Sequence, residues 1–284
     1  ALAASLLVAL LLGWRWTARR APGSPEMVAS VERATGEVRV RNDRGPAEAI
    51  GAGTHLPVGA LLETSDGGGR SASRALLRLT GGGSVRLDSG TRVRLTSSRQ
   101  LELVRGALYF DSGAPAAAGG AVEVATAFGI VRDVGTQFEV RLSGERDGVR
   151  VRVREGRVAL DAEGASHSAT GGEELSLRPD GSVVRATVAR SGPDWDWVLA
   201  TAPSFEIEGR SLPAYLDWIG RETGWDIRYE SDALAASAKA IRLHGTIAAL
   251  TLEESLSLVL PGSGLAYRLE DGTLWVTRPP AQNS

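Results

Sequence analysis

Three histidines, His55, His167 and His244, are the first residues to weigh for metal or acid–base chemistry. They fall in different stretches, and none has a second histidine or a carboxylate at helical ligand spacing, so no zinc motif is built. Ser166-His167-Ser168 puts hydroxyls beside an imidazole, but adjacent side chains on a strand point to opposite faces. No Gly-x-Ser-x-Gly nucleophile elbow occurs. Carboxylates stand in pairs at Glu173-Glu174, Glu253-Glu254 and Asp194/Asp196, where capping and solvation are the ordinary roles. Cysteine is absent, which excludes disulfides, thiolate metal sites and cysteine nucleophiles. The residues therefore read as non-catalytic, with no cofactor and no metal expected.

Two groups could bind rather than react. Arg150, Arg152 and Arg154, with Arg141, form a stripe that could hold an anion; a solvated face partly neutralised by Glu139 is the plainer reading. Trp195 and Trp197 could be a recognition patch, since tryptophan is enriched at interface hot spots, or could pack a linker against a neighbouring unit. The 32 basic and 34 acidic residues give a net charge of -2 and are spread along the chain. They form no nucleic-acid patch. Triple glycines at 67–69 and 81–83 suggest a phosphate loop, but no Gly-Lys-Ser/Thr follows them, so they read as hairpin turns.

The elements that position these groups are mostly strands. From Gln137 to Arg154 the apolar side chains fall on every second residue, Phe138, Val140, Leu142 and then Val149, Val151, Val153, which marks strands with one dry face. The turn formers in Ser143–Gly148 fold the two runs back as a hairpin. A symmetric register puts Phe138 opposite Val153, Val140 opposite Val151, Leu142 opposite Val149 and Glu139 opposite Arg152. Gly129 and Gly135 read as bends or bulges. From Met27 to Asp111 short runs such as Val38/Val40, Leu76/Leu77/Leu79 and Val85/Leu87 recur between Gly/Asp/Ser turns, the pattern of an antiparallel sandwich or β-roll.

The stretch VATAFGIVRDVGTQFEV, then VRVREGRVAL and Gly171-Gly172-Glu173-Glu174-Leu175, resembles the core signature of the FecR family, membrane-anchored regulators of extracytoplasmic-function sigma factors. The carrying residues are Val124, Thr126, Phe128, Gly129, Gly135, Thr136, Phe138, Val140, Val153, Glu155, Gly156 and Val158, and the likeness extends over roughly residues 31–185. The expected unit is a FecR-like β domain over 27–190.

Ahead of it, Ala1–Leu12 is apolar or small and ends at Trp14 and Trp16. It is shorter than the ~20 residues that span a bilayer, so residues 1–16 read as a transmembrane helix whose start lies upstream, followed by a linker over 17–26. A cleaved signal peptide is the alternative. Arg15, Arg19 and Arg20 favour a cytoplasmic C-terminal side, whereas the resemblance implies a periplasmic one.

After a linker over 191–203 the composition changes to mixed α and β. Phe205/Ile207, Trp225/Ile227/Tyr229 and Ile241/Leu243 alternate as strands. Ser211 caps a helix stopped by Gly224, and Thr251-Leu252-Glu253-Glu254 is a capping box. A last hairpin turns at Asp271-Gly272. Residues 204–278, through Leu212, Leu216, Thr223, Gly224, Leu243, Gly245, Leu252 and Tyr267 among others, are similar to the secretin and TonB short N-terminal domain; 279–284 is a tail.

These resemblances imply a single-pass inner-membrane protein with a periplasmic C-terminal part. An outer-membrane TonB-dependent transducer would contact the small domain, and a segment upstream of Ala1 would hold the sigma factor. Edge pairing is the expected mode, with Ile241, Leu243 and Gly245 or Leu274, Trp275 and Val276 as the tentative partner-binding residues beside Trp195 and Trp197. A periplasmic scaffold that binds polysaccharide or peptidoglycan is the alternative function.

Overall fold

The computed structural model describes residues 25–42, 45–67, 72–113, 121–133, 135–142, 144, 147–248 and 250–280. The membrane helix expected at 1–16, most of the linker after it, the Ala114–Gly120 insert and part of the first triple glycine lie outside the described residues. Among the described residues no helix is long and apolar enough to cross a membrane.

Seventeen strands form the first part of the chain: β1 Met27–Thr35, β2 Val38–Arg41, β3 Glu48–Ala49, β4 His55–Pro57, β5 Leu61–Thr64, β6 Arg74–Leu79, β7 Ser84–Leu87, β8 Arg92–Leu95, β9 Gln100–Asp111, β10 Glu123–Thr126, β11 Gly129–Asp133, β12 Gln137–Leu142, β13 Val149–Glu155, β14 Arg157–Ala162, β15 Ala165–Thr170, β16 Glu173–Leu177 and β17 Val183–Thr187. They make two sheets that share one long strand. The first half of β9 pairs with β8 and β10, and its second half with β7 and β12. The change of sheet falls at Gly106, whose φ is +80°; a Cβ there would meet the Thr91 Cα at 2.6 Å, so only glycine passes this corner.

The core lies between the sheets, where Val85, Leu108, Phe110, Phe138, Val140 and Val151 meet Leu62, Val93, Leu103, Val124, Val131 and Leu160. The β12–β13 hairpin has the register read from its alternation: Phe138 faces Val153, Glu139 faces Arg152, Val140 faces Val151 and Leu142 faces Val149. The register shifts between Gln137 and Phe138, and Arg154 is the extra residue of that bulge.

A single 3-10 turn at Pro193–Trp195 and a short helix α1, Asp196–Leu199, join this part to a smaller α+β part. There α2 is Leu212–Thr223, β18 Asp226–Tyr229, α3 Asp232–Ala238, α4 Leu252–Gly262, β19 Ala266–Glu270 and β20 Thr273–Thr277. Ser211 caps α2 by accepting from the Ala214 N–H, and left-handed Gly224 ends it. The Thr251–Glu254 capping box opens α4.

Two expectations are corrected here. Phe205/Ile207 and Ile241/Leu243 are not strands: 241–243 makes one isolated bridge, Ser211 to Arg242, and its backbone is already bonded to 209–212, as in Leu243 N–H to Arg210 O at 2.8 Å. Leu274, Trp275 and Val276 lie on β20, the central strand in the order β18-β20-β19, so they offer no free edge. Helix α3 lies in a stretch to which the sequence reading assigns no element.

Candidate functional site

A row of residues crosses the outer face of the sheet that contains β12. Register pairs link Arg33 to Leu76, Leu76 to Arg86, Arg86 to Tyr109, Tyr109 to Glu139, Glu139 to Arg152 and Arg152 to Glu174. Strand alternation puts all of them on the side away from the core. The arginine stripe was expected to be solvated. Of that stripe Arg154 is buried, while Arg141, Arg150 and Arg152 are partly covered and Glu139 pairs with Arg141 and Arg150; beside them Arg86, Tyr109 and Glu139 are at most 1 % exposed, because the connector and the end of α2 cover them.

Trp195, Trp197 and Val198 pack on Ala107 and Tyr109 as a small apolar cluster of their own. The Trp195 indole N–H donates to Ala189 O at 2.9 Å, and its ring lies 4.3 Å from the Arg154 guanidinium carbon. The Trp197 indole N–H donates to Glu139 at 3.1 Å, and Glu139 also receives Arg141 at 2.8 Å. Both tryptophans are therefore buried packing residues of the connector. Their side chains are hidden from any partner while this seam is closed.

The last turn of α2 supplies the charges that complete the seam. Arg86 Nη2 meets Glu222 Oε2 at 2.6 Å, and Arg86 Nη1 donates to Val198 O at 2.9 Å. Arg154 Nη1 donates to Glu222 O at 2.8 Å. Arg221 pairs with Asp111, and Gln137 donates both to Asp111 at 2.9 Å and to Arg221 O at 3.1 Å. Gly224 makes this approach possible, since a Cβ on it would run into Arg190 O.

Burial shapes the protonation of this group. Complete burial raises the Glu222 carboxyl, and the Asp111 charge adds to that. It also pushes the Tyr109 phenol up to about 12. Burial opposes ionisation of Asp111 too, but hydrogen bonding and charge from Arg221 outweigh it and leave that carboxyl below its usual value. Arg86 keeps its proton more firmly than usual: Glu222 and its neighbours more than offset burial. Arg86 Nε and Arg154 Nε and Nη2 are buried without a hydrogen-bond partner among the described residues. A dry cluster of this kind can hold two parts together, and breaking it re-hydrates several charges at once.

The remaining residues weighed in the sequence do not converge. His55 lies on β4 and His167 on β15, while exposed His244 meets Glu208 at 2.9 Å. No group of three or more His, Cys, Asp or Glu that could hold a metal occurs among the described residues. Glu173 pairs with Arg185, Glu174 with Arg152, Asp194 with Arg152, and Glu254 caps α4. Leu243 is buried in the core of the small unit with Ile241 packed against that core, and Gly245 is exposed. Sequence reading missed Arg86, Tyr109, Asp111, Glu222 and Arg221; the only hint was that Arg86 and Tyr109 sit mid-strand on the same face as the arginine stripe.

Residues 68–159 match the family described as FecR protein. Two crystal structures of a proposed anti-sigma factor from Parabacteroides distasonis ATCC 8503 are similar to this chain. They are 19% and 18% identical over 77% of it, covering 99% and 98% of theirs, with TM-scores of 0.39 and 0.38. No curated protein matches the chain.

Proposed function

Residues 68–159 being a FecR segment, we propose that this chain is a non-catalytic signal-relay protein that regulates an extracytoplasmic-function sigma factor. The small α+β unit receives the signal and the FecR strands pass it on. One observation carries this reading: Arg86, Tyr109, Asp111 and Arg154, all within the FecR segment, are the residues that grip the last turn of α2. A force or a partner acting on the small unit thus bears directly on the FecR strands.

The finer assignment follows the family. The chain sits in the inner membrane with these units in the periplasm, and a TonB-dependent transducer engages the small unit. Its free sheet edges are β18 and β19, and β19 carries exposed Leu269; edge pairing there would give the transducer affinity without covering the seam.

The test is transcription driven by the sigma factor in cells that carry or lack this chain, with and without the ligand of the transducer. Loss of the ligand response on deletion is the expected result. A response unchanged by deletion overturns the regulator, and saccharide binding by the β unit would then favour the scaffold.

A further inference from the structure

A cavity of about 480 Å³ lies where three parts of the chain meet: Arg33 of β1, the connector from Leu199 to Phe205, and the small unit through Trp218, residues 247–248 and residues 250–253. Its size is that of a pocket for a small organic molecule. The walls are mostly apolar, with Phe205 stacked on Trp218 at 5.3 Å between ring centres and exposed Leu250 among the lining residues.

The charge at the wall is what selects an occupant. Arg33 donates from Nη1 to Ala202 O at 2.8 Å and has no carboxylate partner among the described residues. Its neighbours on the same sheet are matched, Arg78 by Glu32 and Arg86 by Glu222. The other ionisable lining residue, Glu253, stands in the first turn of α4, where a carboxylate serves the positive end of the helix. We propose that this cavity binds a small amphipathic anion, an aliphatic or aromatic carboxylate whose apolar body lies against Phe205, Trp218 and Ile247 and whose charge meets Arg33. Because its walls come from both units, an occupant favours the closed seam by mass action. This inference does not depend on the regulator reading, and either can fail alone.

The test uses the full chain and two fluorescent probes of similar shape, anionic 1-anilinonaphthalene-8-sulfonate and uncharged N-phenyl-1-naphthylamine. The anionic probe is expected to bind at one saturable site and to be displaced by decanoate more readily than by decanol. Arg33→Met should weaken the anionic probe by about tenfold, the loss of roughly one charge-assisted contact, and leave the neutral one within about twofold. Ala248→Trp and Ala200→Trp, both at exposed lining positions, fill the cavity and should abolish binding of both probes without lowering the melting temperature. If both filled variants bind the anionic probe as the wild type does, the site is elsewhere and the proposal fails. If Arg33→Met weakens both probes equally, the cavity has no preference for anions and the ligand class is wrong.

Discussion

At Arg154 a guanidinium is held dry with only part of its donor set satisfied. Its plane lies over Trp195, 4.3 Å away, with Tyr109 at 5.5 Å, and rings can stand in for some of the lost water with about 2 kcal/mol when desolvated. Asp111 presents the opposite case, a buried carboxylate that is well matched. It receives Arg221, Gln137 and the Gly113 N–H. Its folded-state pKa lies below the unfolded value, so the stability it contributes is fully present above about pH 4 and is lost as the pH falls through the folded value. Glu222 runs the other way: its raised pKa gives a contribution that declines as the pH rises above the ordinary carboxylate range. Asp111→Asn should therefore lower stability near neutral pH and flatten the acid limb below about pH 4. Urea midpoints measured across pH check this, and an unchanged acid limb would show that Asp111 is not ionised against Arg221 in the folded protein.

Among the elements, those set by local chemistry were legible and those set by distant cover were not. Alternation of Phe138, Val140 and Leu142 against Val149, Val151 and Val153 was enough to read the β12–β13 register, because burial of one face forbids a one-residue slip. Ser211, Gly224 and the Thr251 box likewise announced α2 and α4. Period two tells which side of a sheet a residue is on but not what covers that side, and the cover over Arg86 comes from Glu222, 136 positions away. Helix α3 was missed because Asp232–Ala238 offers one leucine among alanines, so no apolar stripe stands out although alanine favours helix. The edge proposed above for a partner is β19. With β20 central, β19 is an outer strand, and successive N–H groups along it point alternately inward and outward. Of Arg268→Pro and Leu269→Pro, one should therefore break a bond to β20 and unfold the small unit, and the other should leave it folded but lose the transducer's signalling domain in a pulldown. Retained binding by a folded proline variant at the outward position would remove β19 from the interface.

For the molecule as a whole, the question is why the two units stay together and how they could part. Each has its own core, so neither needs the other to bury its apolar residues. The seam between them is built largely from charges: Arg86 and Glu222 are 0 % and 2 % exposed, and the donors without partners nearby add cost rather than stability. Removing one member of such a pair leaves an uncompensated buried charge, a penalty of about 3–5 kcal/mol, whereas replacing both with apolar groups of similar volume is often neutral or stabilising. Because Arg86 and Glu222 belong to different units, that penalty falls first on docking, and unfolding of either core follows only later. Arg86→Met and Glu222→Gln alone should each increase cleavage of the connector between Ala200 and Gly209, where Thr201, Ala202 and Ile207 are buried in the closed state, by roughly a hundredfold to a thousandfold under conditions where opening is in fast exchange. The double variant Arg86→Met with Glu222→Leu should return it to within about tenfold of the wild type. That recovery separates a latch, whose members matter only through each other, from two independent contributions, for which the double variant would be the most readily cleaved of the three. Recovery with a tighter seam would also predict a relay that no longer responds, since a junction of matched apolar side chains gives a pulling partner no buried charges to re-hydrate.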